Sequence, residues 1–482
     1  MSSTEKKSPF GAYDIRGVYG ENLDEEFARN LGVALHEHIG IAAGEFVIGH
    51  DVRISSPLLT KSLAEGIASC GGNVTILDVA STPRVYWHGA EKKFDCSIAV
   101  TASHLPAKHN GFKICRENAI PISSEDGLVD IKQRLEAASK RKESASNPSD
   151  SASDQGDAAS NHSDASCNNA VGRITTDHSG LSSYIESLRR FLKLTNHIKI
   201  VVDAGGSPVG REVAKLFENS NASIIPLGFE EDPSFSRRSA NPIDEGALTE
   251  LSQVVLKEKA AFGAAFDGDG DRVVFVDETG AIIDPDLITA LLAEQILTNA
   301  PVSNIMFDLR SSRAVKERIE ACGGIALKSR VGHSFIKADM RRQNVALAGE
   351  LSAHYYWGDL FYTDNAVRAL IEMANLLSMR SIALSSLIKP LQKHVGTGEI
   401  NFKTTESVAV IEALKCRFVA SPLDFTDGLT VEFGDWWFNV RTSQTEPLVR
   451  LCVGAVDETT LSKHRQELES LITEAMKVPV AR

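Results

Sequence analysis

Two short stretches of this chain carry residues that can do chemistry together. Asp267-Gly268-Asp269-Gly270-Asp271-Arg272 sets a carboxylate at every second position, with glycines between and a cation at the end. Three neighbouring carboxylates repel one another unless something cationic sits among them, and hard oxygen ligands on a flexible backbone suit a divalent ion such as Mg²⁺. A magnesium ion held by only a few carboxylates keeps coordination sites for a phosphate oxygen, which is how metals serve phosphoryl transfer. The second stretch, Thr101-Ala102-Ser103-His104, offers Ser103 as the hydroxyl that would carry that phosphate. Asp-Gly pairs also mark ordinary solvated turns. Here the flanking runs Ala261 to Phe266 and Val273 to Val276 read as buried strands, and a triple-carboxylate turn at their ends is costly without a partner.

The elements that must position these loops follow α/β patterning. Short apolar runs at Glu45 to Ile48, Val74 to Leu77, Ser97 to Val100 and Ile198 to Val202 alternate with amphipathic segments of helix length. The spacing predicts helices over Leu58 to Cys70, Ser182 to Leu194, Ala247 to Glu258, Pro285 to Leu297 and Asp364 to Leu377. The motif loops fall after strands, where such folds place ligands. From about Ser139 to Asn169 the composition turns to Ser, Asp, Asn and Ala, and this stretch is expected to be a disordered insertion. The last part, Asn401 to Arg482, has strands near Leu429 to Phe433 and Trp437 to Val440 and a closing helix from Glu458 to Met476, a small α+β domain.

A chain of 482 residues exceeds what one hydrophobic core supports, and 43% hydrophobic content supplies several. The formal charge of −13, from 64 acidic and 51 basic residues, argues against a nucleic-acid binder. An anionic substrate therefore needs a local basic cleft. Seven cysteines scattered singly show neither metal spacing nor a disulfide framework, which fits a reducing compartment. Residues 1–8 have no apolar signal core, and no apolar run is long enough for a membrane helix, so the reading is a cytoplasmic protein without membrane attachment.

Taken together, the motifs resemble the α-D-phosphohexomutases, in particular the phosphomannomutase and phosphoglucomutase branch, from Phe10 to about Val456. The resemblance is carried by Ala12-Tyr13-Asp14-Ile15-Arg16-Gly17, by Gly49-His50-Asp51-Val52-Arg53-Ile54-Ser55-Ser56 and by Thr101 to Pro106, which is similar to the phosphoserine loop. It continues through the acidic cluster, through Gly349 to His354, similar to the sugar-recognition loop, and through Arg441 to Pro447, similar to the phosphate-binding loop. The family implies three similar mixed-sheet α/β domains and a smaller C-terminal α+β domain around a central cleft. Expected boundaries are 1–178, 179–281, 282–392 and 393–482.

The resemblance also implies an activity: phosphate moves between the 1- and 6-positions of a hexose through phosphoserine and a hexose 1,6-bisphosphate that is both intermediate and activator. Ser103, Asp267, Asp269 and Asp271 would complete the Mg²⁺ shell. Lys113 matches the position that exchanges the substrate's hydroxyl proton, a role requiring a lowered pKa; Arg16 and Arg272 would supply the crowding charge. His104 would support the serine loop. Substrate contacts fall to Tyr13, Arg310 and His333, to Glu350, Ser352 and His354 on an extended loop reading sugar hydroxyls, and to Arg441, Ser443, Gln444 and Thr445 around the non-reacting phosphate. Arg310 stands where relatives often have lysine, and Leu105 and Gln444 where many have asparagine. The substrates expected are mannose phosphates and then glucose phosphates, for a monomer or homodimer supplying nucleotide-sugar precursors. A phosphoglucosamine mutase, a noncatalytic sugar-phosphate sensor and a magnesium-dependent phosphatase are the alternatives.

Overall fold

The computed structural model describes residues 8–146, 171–443 and 447–477. Among these the strands form four sheets, each drawn from one continuous stretch of chain. The chain divides into two compact units, Met1–Ala102 with Ala107–Ser182, and Ser103–Pro106 with Ser183–Arg482. The four residues that begin with Ser103 thus belong with the second unit.

The first unit holds β1 (Ile15–Val18), β2 (Glu45–His50), β3 (Asn73–Val79), β4 (Cys96–Val100), β5 (His109–Arg116), β6 (Ile120–Pro121) and β7 (Ile174–Asp177), in the order β1-β5-β4-β2-β3-β7 with β6 on β5. Strands β4, β2, β3 and β7 run parallel, whereas β5 turns back antiparallel to β4. The first helix, Glu25–Ile39, shows how locally its ends are specified. Asp24 accepts from the amide of Phe27, Glu25 and Glu26 sit in the first turn, and Gly40 closes it at φ 72°. Its Leu31 and Leu35 meet Phe46, Ile48, Leu63, Ile67, Ile98 and Phe112 in one fully buried cluster, each such side chain stabilising by about 1.5–3 kcal/mol.

The second unit begins with β8 (Ile198–Asp203), β9 (Ala222–Leu227), β10 (Phe262–Phe266), β11 (Val273–Asp277) and β12 (Ile282–Ile283), ordered β12-β11-β10-β8-β9. The next sheet, β13 (Asn304–Asp308), β14 (Ile325–Ser329), β15 (Val345–Gly349), β16 (Tyr355–Trp357) and β17 (Thr363–Asp364), is ordered β14-β13-β15-β16-β17. In both, three parallel strands are followed by an antiparallel hairpin, β10 to β11 and β15 to β16. The last sheet, β18 (Val395–Gly396), β19 (Ile400–Lys403), β20 (Leu423–Asp424), β21 (Leu429–Glu432), β22 (Trp436–Thr442) and β23 (Leu448–Ala455), is antiparallel throughout and packs on the helices Ser407–Arg417 and Glu458–Ala475. Mixed α/β sheets with an antiparallel C-terminal one agree with the expected fold class.

One expectation needs correction. The stretch expected to be disordered from Ser139 starts inside a helix, Leu128–Ser146, because Lys140-Arg141-Lys142-Glu143 are good helix formers despite their polarity. The remainder of that stretch, from residue 147, lies outside the described residues, as do Gln444 and Thr445.

Candidate active site

The acidic loop is the turn that joins β10 to β11, whose register pairs Phe266 with Val273. Asp267 shapes it: Oδ1 accepts from the amides of Gly270 at 2.9 Å, Asp271 at 3.1 Å and Arg272 at 3.2 Å. Gly270, at φ 74°, permits the turn that aims those amides inward. Arg238 braces the strand end from below, donating to the carbonyl of Phe266 at 2.6 Å and to Asp203 at 2.7 Å. Asp267, Asp269 and Asp271 are almost wholly buried, with ligand atoms within 4.8 Å of one another. Buried carboxylates this close, with only oxygen donors, fit a divalent cation of the hard class. A second grouping, Asp271, His354 and Asp364, is equally close. It fits a cation less well, because the ammonium of Lys337 already lies 3.1 Å from Asp364.

Ser103 lies at this loop. Its hydroxyl donates to Asp267 Oδ2 at 3.0 Å and lies 3.2 Å from His104 Nδ1. The two Asp267 oxygens thus divide their work, one holding the backbone and one facing the serine. Ser103 has φ 51°, a left-handed conformation that costs a non-glycine residue energy and is kept where the surroundings enforce it. The approach is so close that a Cβ on Gly268 would come within 2.6 Å of the Ser103 carbonyl oxygen. Glycine at 268 therefore serves approach between backbones rather than flexibility alone.

The loop from Gly349 to His354 departs from expectation. The alternating positions of Glu350, Ser352 and His354 suit an extended loop presenting acceptors to sugar hydroxyls from one side. Instead it is a tight turn, closed by hydrogen bonds from the Glu350 amide to the His354 carbonyl and from the Ala353 amide to the Glu350 carbonyl, with Ala353 at φ 68°. The Glu350 carboxylate receives the Tyr356 hydroxyl at 2.9 Å, Arg310 at 3.3 Å and His354 Nδ1 at 3.1 Å, while Ser352 Oγ is 2.9 Å from that same nitrogen. Burial alone would raise the Glu350 carboxyl, but the His354 bond and charge, with Arg310, hold it well below the usual carboxylate range. For His354, burial opposes the charged form, yet the Asp271 carboxylate 3.4 Å from Nε2 pushes its pKa up to about 9. The Arg272 Nε, 3.3 Å from that nitrogen, works against it. The two loops are stitched by the Arg272–His354 bridge and by the Val273 amide donating to the Ala353 carbonyl at 3.1 Å. Tyr355, Tyr356 and Trp357 are core residues.

Arg310 is held by Asp308 at 2.6 Å, Glu350 at 3.3 Å and Glu399 at 3.1 Å. Glu399 also pairs with Arg441 and lies 3.7 Å from Arg450. Ser443 Oγ accepts from Arg450 at 3.5 Å. His333 is half-buried and opens the helix His333–Gln343. Sequence reasoning missed Glu399, Arg450, Asp308 and Tyr356. Only Asp308, two residues before Arg310, left a local signal.

In the first unit, Arg16 on β1 pairs with Asp14 at 2.8 Å. It stands opposite Gly111 of β5, so Lys113, two residues further along β5, shares its face of the sheet. Lys113 is buried, not the solvated surface lysine that its type alone suggests. Tyr13 is partly buried in the turn before β1. A buried network ends β4: Asp51 accepts from Thr101 Oγ1 at 2.8 Å, Ser56 Oγ at 2.6 Å and Arg53 Nε at 2.9 Å. It fixes the chain two residues ahead of Ser103.

Comparison with known proteins gives matches along nearly the whole chain. Family models described as phosphoglucomutase/phosphomannomutase, alpha/beta/alpha domains I, II and III match residues 7–142, 182–280 and 284–394. Proteins named phosphohexose mutases from Xanthomonas campestris pv. campestris are 34% identical over 472 residues, covering 96% of this chain and 98% of theirs. A phosphomannomutase from Methanocaldococcus jannaschii is 34% identical over 96% of this chain and 97% of its own. Among solved structures, a phosphoglucomutase/phosphomannomutase family protein from Burkholderia thailandensis superposes with a TM-score of 0.85 at 28% identity, over 97% of this chain and 98% of that one.

Proposed function

Because the chain belongs to the α-D-phosphohexomutase family, we infer that it is an intramolecular phosphotransferase interconverting hexose 1-phosphates and hexose 6-phosphates. Its preferred substrates are mannose phosphates, as the names of the relatives suggest, with glucose phosphates second. The observation that carries this reading is the Ser103 hydroxyl 3.0 Å from Asp267, in a loop whose backbone abuts Gly268. A sensor has no need of the carboxylate triad, and a phosphatase, which passes the phosphoryl group to water, has no need of the separate sugar and phosphate loops at Glu350 to His354 and Arg441 to Ser443.

In the proposed reaction Ser103 carries the phosphoryl group. The bond from its Oγ to phosphorus breaks as a substrate hydroxyl oxygen forms the new one, giving the hexose 1,6-bisphosphate. The hydroxyl proton passes to Lys113, a role taken from the resemblance and supported by that lysine's burial on β5. After the bisphosphate turns over, its other phosphate returns to Ser103 and the proton returns to the sugar. Asp267, Asp269 and Asp271 would hold Mg²⁺, which offsets the charge on the transferring group. Arg441 and Ser443 grip the phosphate that is not reacting, and His354 and Glu350 present a charged pair to the sugar hydroxyls.

The test presents mannose 1-phosphate, glucose 1-phosphate and glucosamine 1-phosphate in parallel, with Mg²⁺ and catalytic hexose 1,6-bisphosphate. Wild type should form the 6-phosphate, and Ser103→Ala should lose about 10³-fold or more in kcat. Equal turnover by both proteins sinks the reading. Release of inorganic phosphate instead of the 6-phosphate makes the protein a phosphatase, and preference for glucosamine 1-phosphate moves it to the neighbouring branch.

A further inference from the structure

Arg441 and Arg450 stand directly opposite each other on β22 and β23. Like charges at opposed positions destabilise a sheet, and the Arg441 side chain keeps only 7% of its surface in water, so screening is weak. Glu399, the residue before β19, answers both. One carboxylate oxygen pairs with Arg441, and the other lies 3.1 Å from Arg310 and 3.7 Å from Arg450. Burial would raise its carboxyl, but the charges of Arg310, Arg441 and Arg450 lower it, so it stays ionised. Asp308 and Glu350, the other carboxylate partners of Arg310, are fully or almost fully enclosed, whereas the Glu399 side chain is 23% exposed. An anion that bridges three guanidiniums and still reaches solvent has the charge and the acceptor oxygens with which a phosphate monoester would meet the same cations.

We propose that Glu399 is an internal stand-in for the substrate's phosphate, a positioning residue that keeps Arg310, Arg441 and Arg450 ordered and yields them to an incoming phosphate. The proposal rests on the reading of Arg441 as phosphate anchor. A phosphate monoester brings nearly two charges and three acceptor oxygens against one charge and two, so it wins the guanidiniums. Its net affinity is reduced by the contacts it displaces. The grip is thereby made releasable, which suits a cycle in which a bisphosphate must let go and be regripped in the opposite sense.

Glu399→Gln removes the competing charge at nearly constant size. Steady-state kinetics on mannose 1-phosphate should show KM falling about ten-fold with a lower kcat, as release slows. Calorimetry with inorganic phosphate should show binding tightened by a similar factor. A KM and a phosphate affinity that are unchanged or weaker would overturn the proposal and leave Glu399 a structural tie. Glu399→Asp, which withdraws the carboxylate but keeps the charge, gives the same readouts should the glutamine variant fold poorly. It should bind phosphate more tightly than wild type, and weaker binding again overturns the idea. Arg441→Ala separates the two layers of argument: if it leaves KM and phosphate affinity unchanged, the anchor reading itself is lost, whatever the Glu399 variants do.

Discussion

The Asp267–Arg272 and Glu350–His354 loops each close a hairpin that turns a parallel strand back on itself, β10 into β11 and β15 into β16. Their surroundings handle charge differently. In the first, three carboxylates crowd together and one of them is absorbed by backbone amides. In the second, Glu350 meets an imidazolium, a guanidinium and a phenol, so the loop neutralises itself. The same topological position thus yields one site whose donors fit an outside cation and another built from internal pairs. The lesson is that the strand order sets where chemistry can sit, and only the side chains decide whether a ligand is needed to complete it.

The largest expected effect comes from breaking the first loop without unfolding it. Asp267 is a poor choice because its Oδ1 holds three amides. Asp269 is buried and outside that cap, so Asp269→Asn should cost about 10³-fold in kcat and weaken Mg²⁺ binding, with the far-UV spectrum unchanged. Glu350→Gln should keep Mg²⁺ affinity. If calorimetry shows the two variants alike toward Mg²⁺, the contrast between the loops is wrong.

A smaller loss is expected from Gly268→Ala, where the new methyl would meet the Ser103 carbonyl at 2.6 Å. The methyl is fixed to one backbone and the oxygen belongs to the other, so neither can swing aside and one loop must shift. A misplacement of about 1 Å between reacting groups costs about 10²-fold. Single-turnover phosphotransfer from the phosphorylated enzyme should slow by that order while Mg²⁺ affinity holds. Unimpaired transfer would show that the approach of the two loops is not needed for the reaction.

Much of this contrast is legible in the sequence. Alternation and apolar runs located β2, β4, β8, β10 and β11 to within a residue or two, because each is buried and bounded by polar turns. The aspartate spacing exposed the acidic loop because its partners are consecutive in the chain. The pairing of Arg441 with Arg450, by contrast, depends on strand register, and Glu399 reaches them only through the pairing of β19 with β23. The closing of Glu350 onto Arg310 spans forty positions. Such contacts leave no local pattern, and so a loop of alternating polar residues read as extended proved to be a turn.

The finest test concerns His354, where the two loops meet. Its raised pKa is caused chiefly by Asp271, one of the carboxylates assigned to the cation. In chelator-treated protein the imidazole should titrate near pH 9 in a two-dimensional ¹H–¹⁵N spectrum. Because this folded value lies above the ordinary histidine value of about 6.5, the stabilisation is complete below pH ~6.5 and is lost as pH rises through about 9. Unfolding midpoints of the chelated protein should fall across that window more steeply than those of His354→Gln. Adding Mg²⁺ places a dication beside Asp271, so the histidine pKa should drop by about one unit, worth about 1.4 kcal/mol. By reciprocity the ion should bind more tightly as His354 loses its proton. A pKa that ignores Mg²⁺ would mean that Asp271 does not share itself between the two, and the loops would then be independent neighbours.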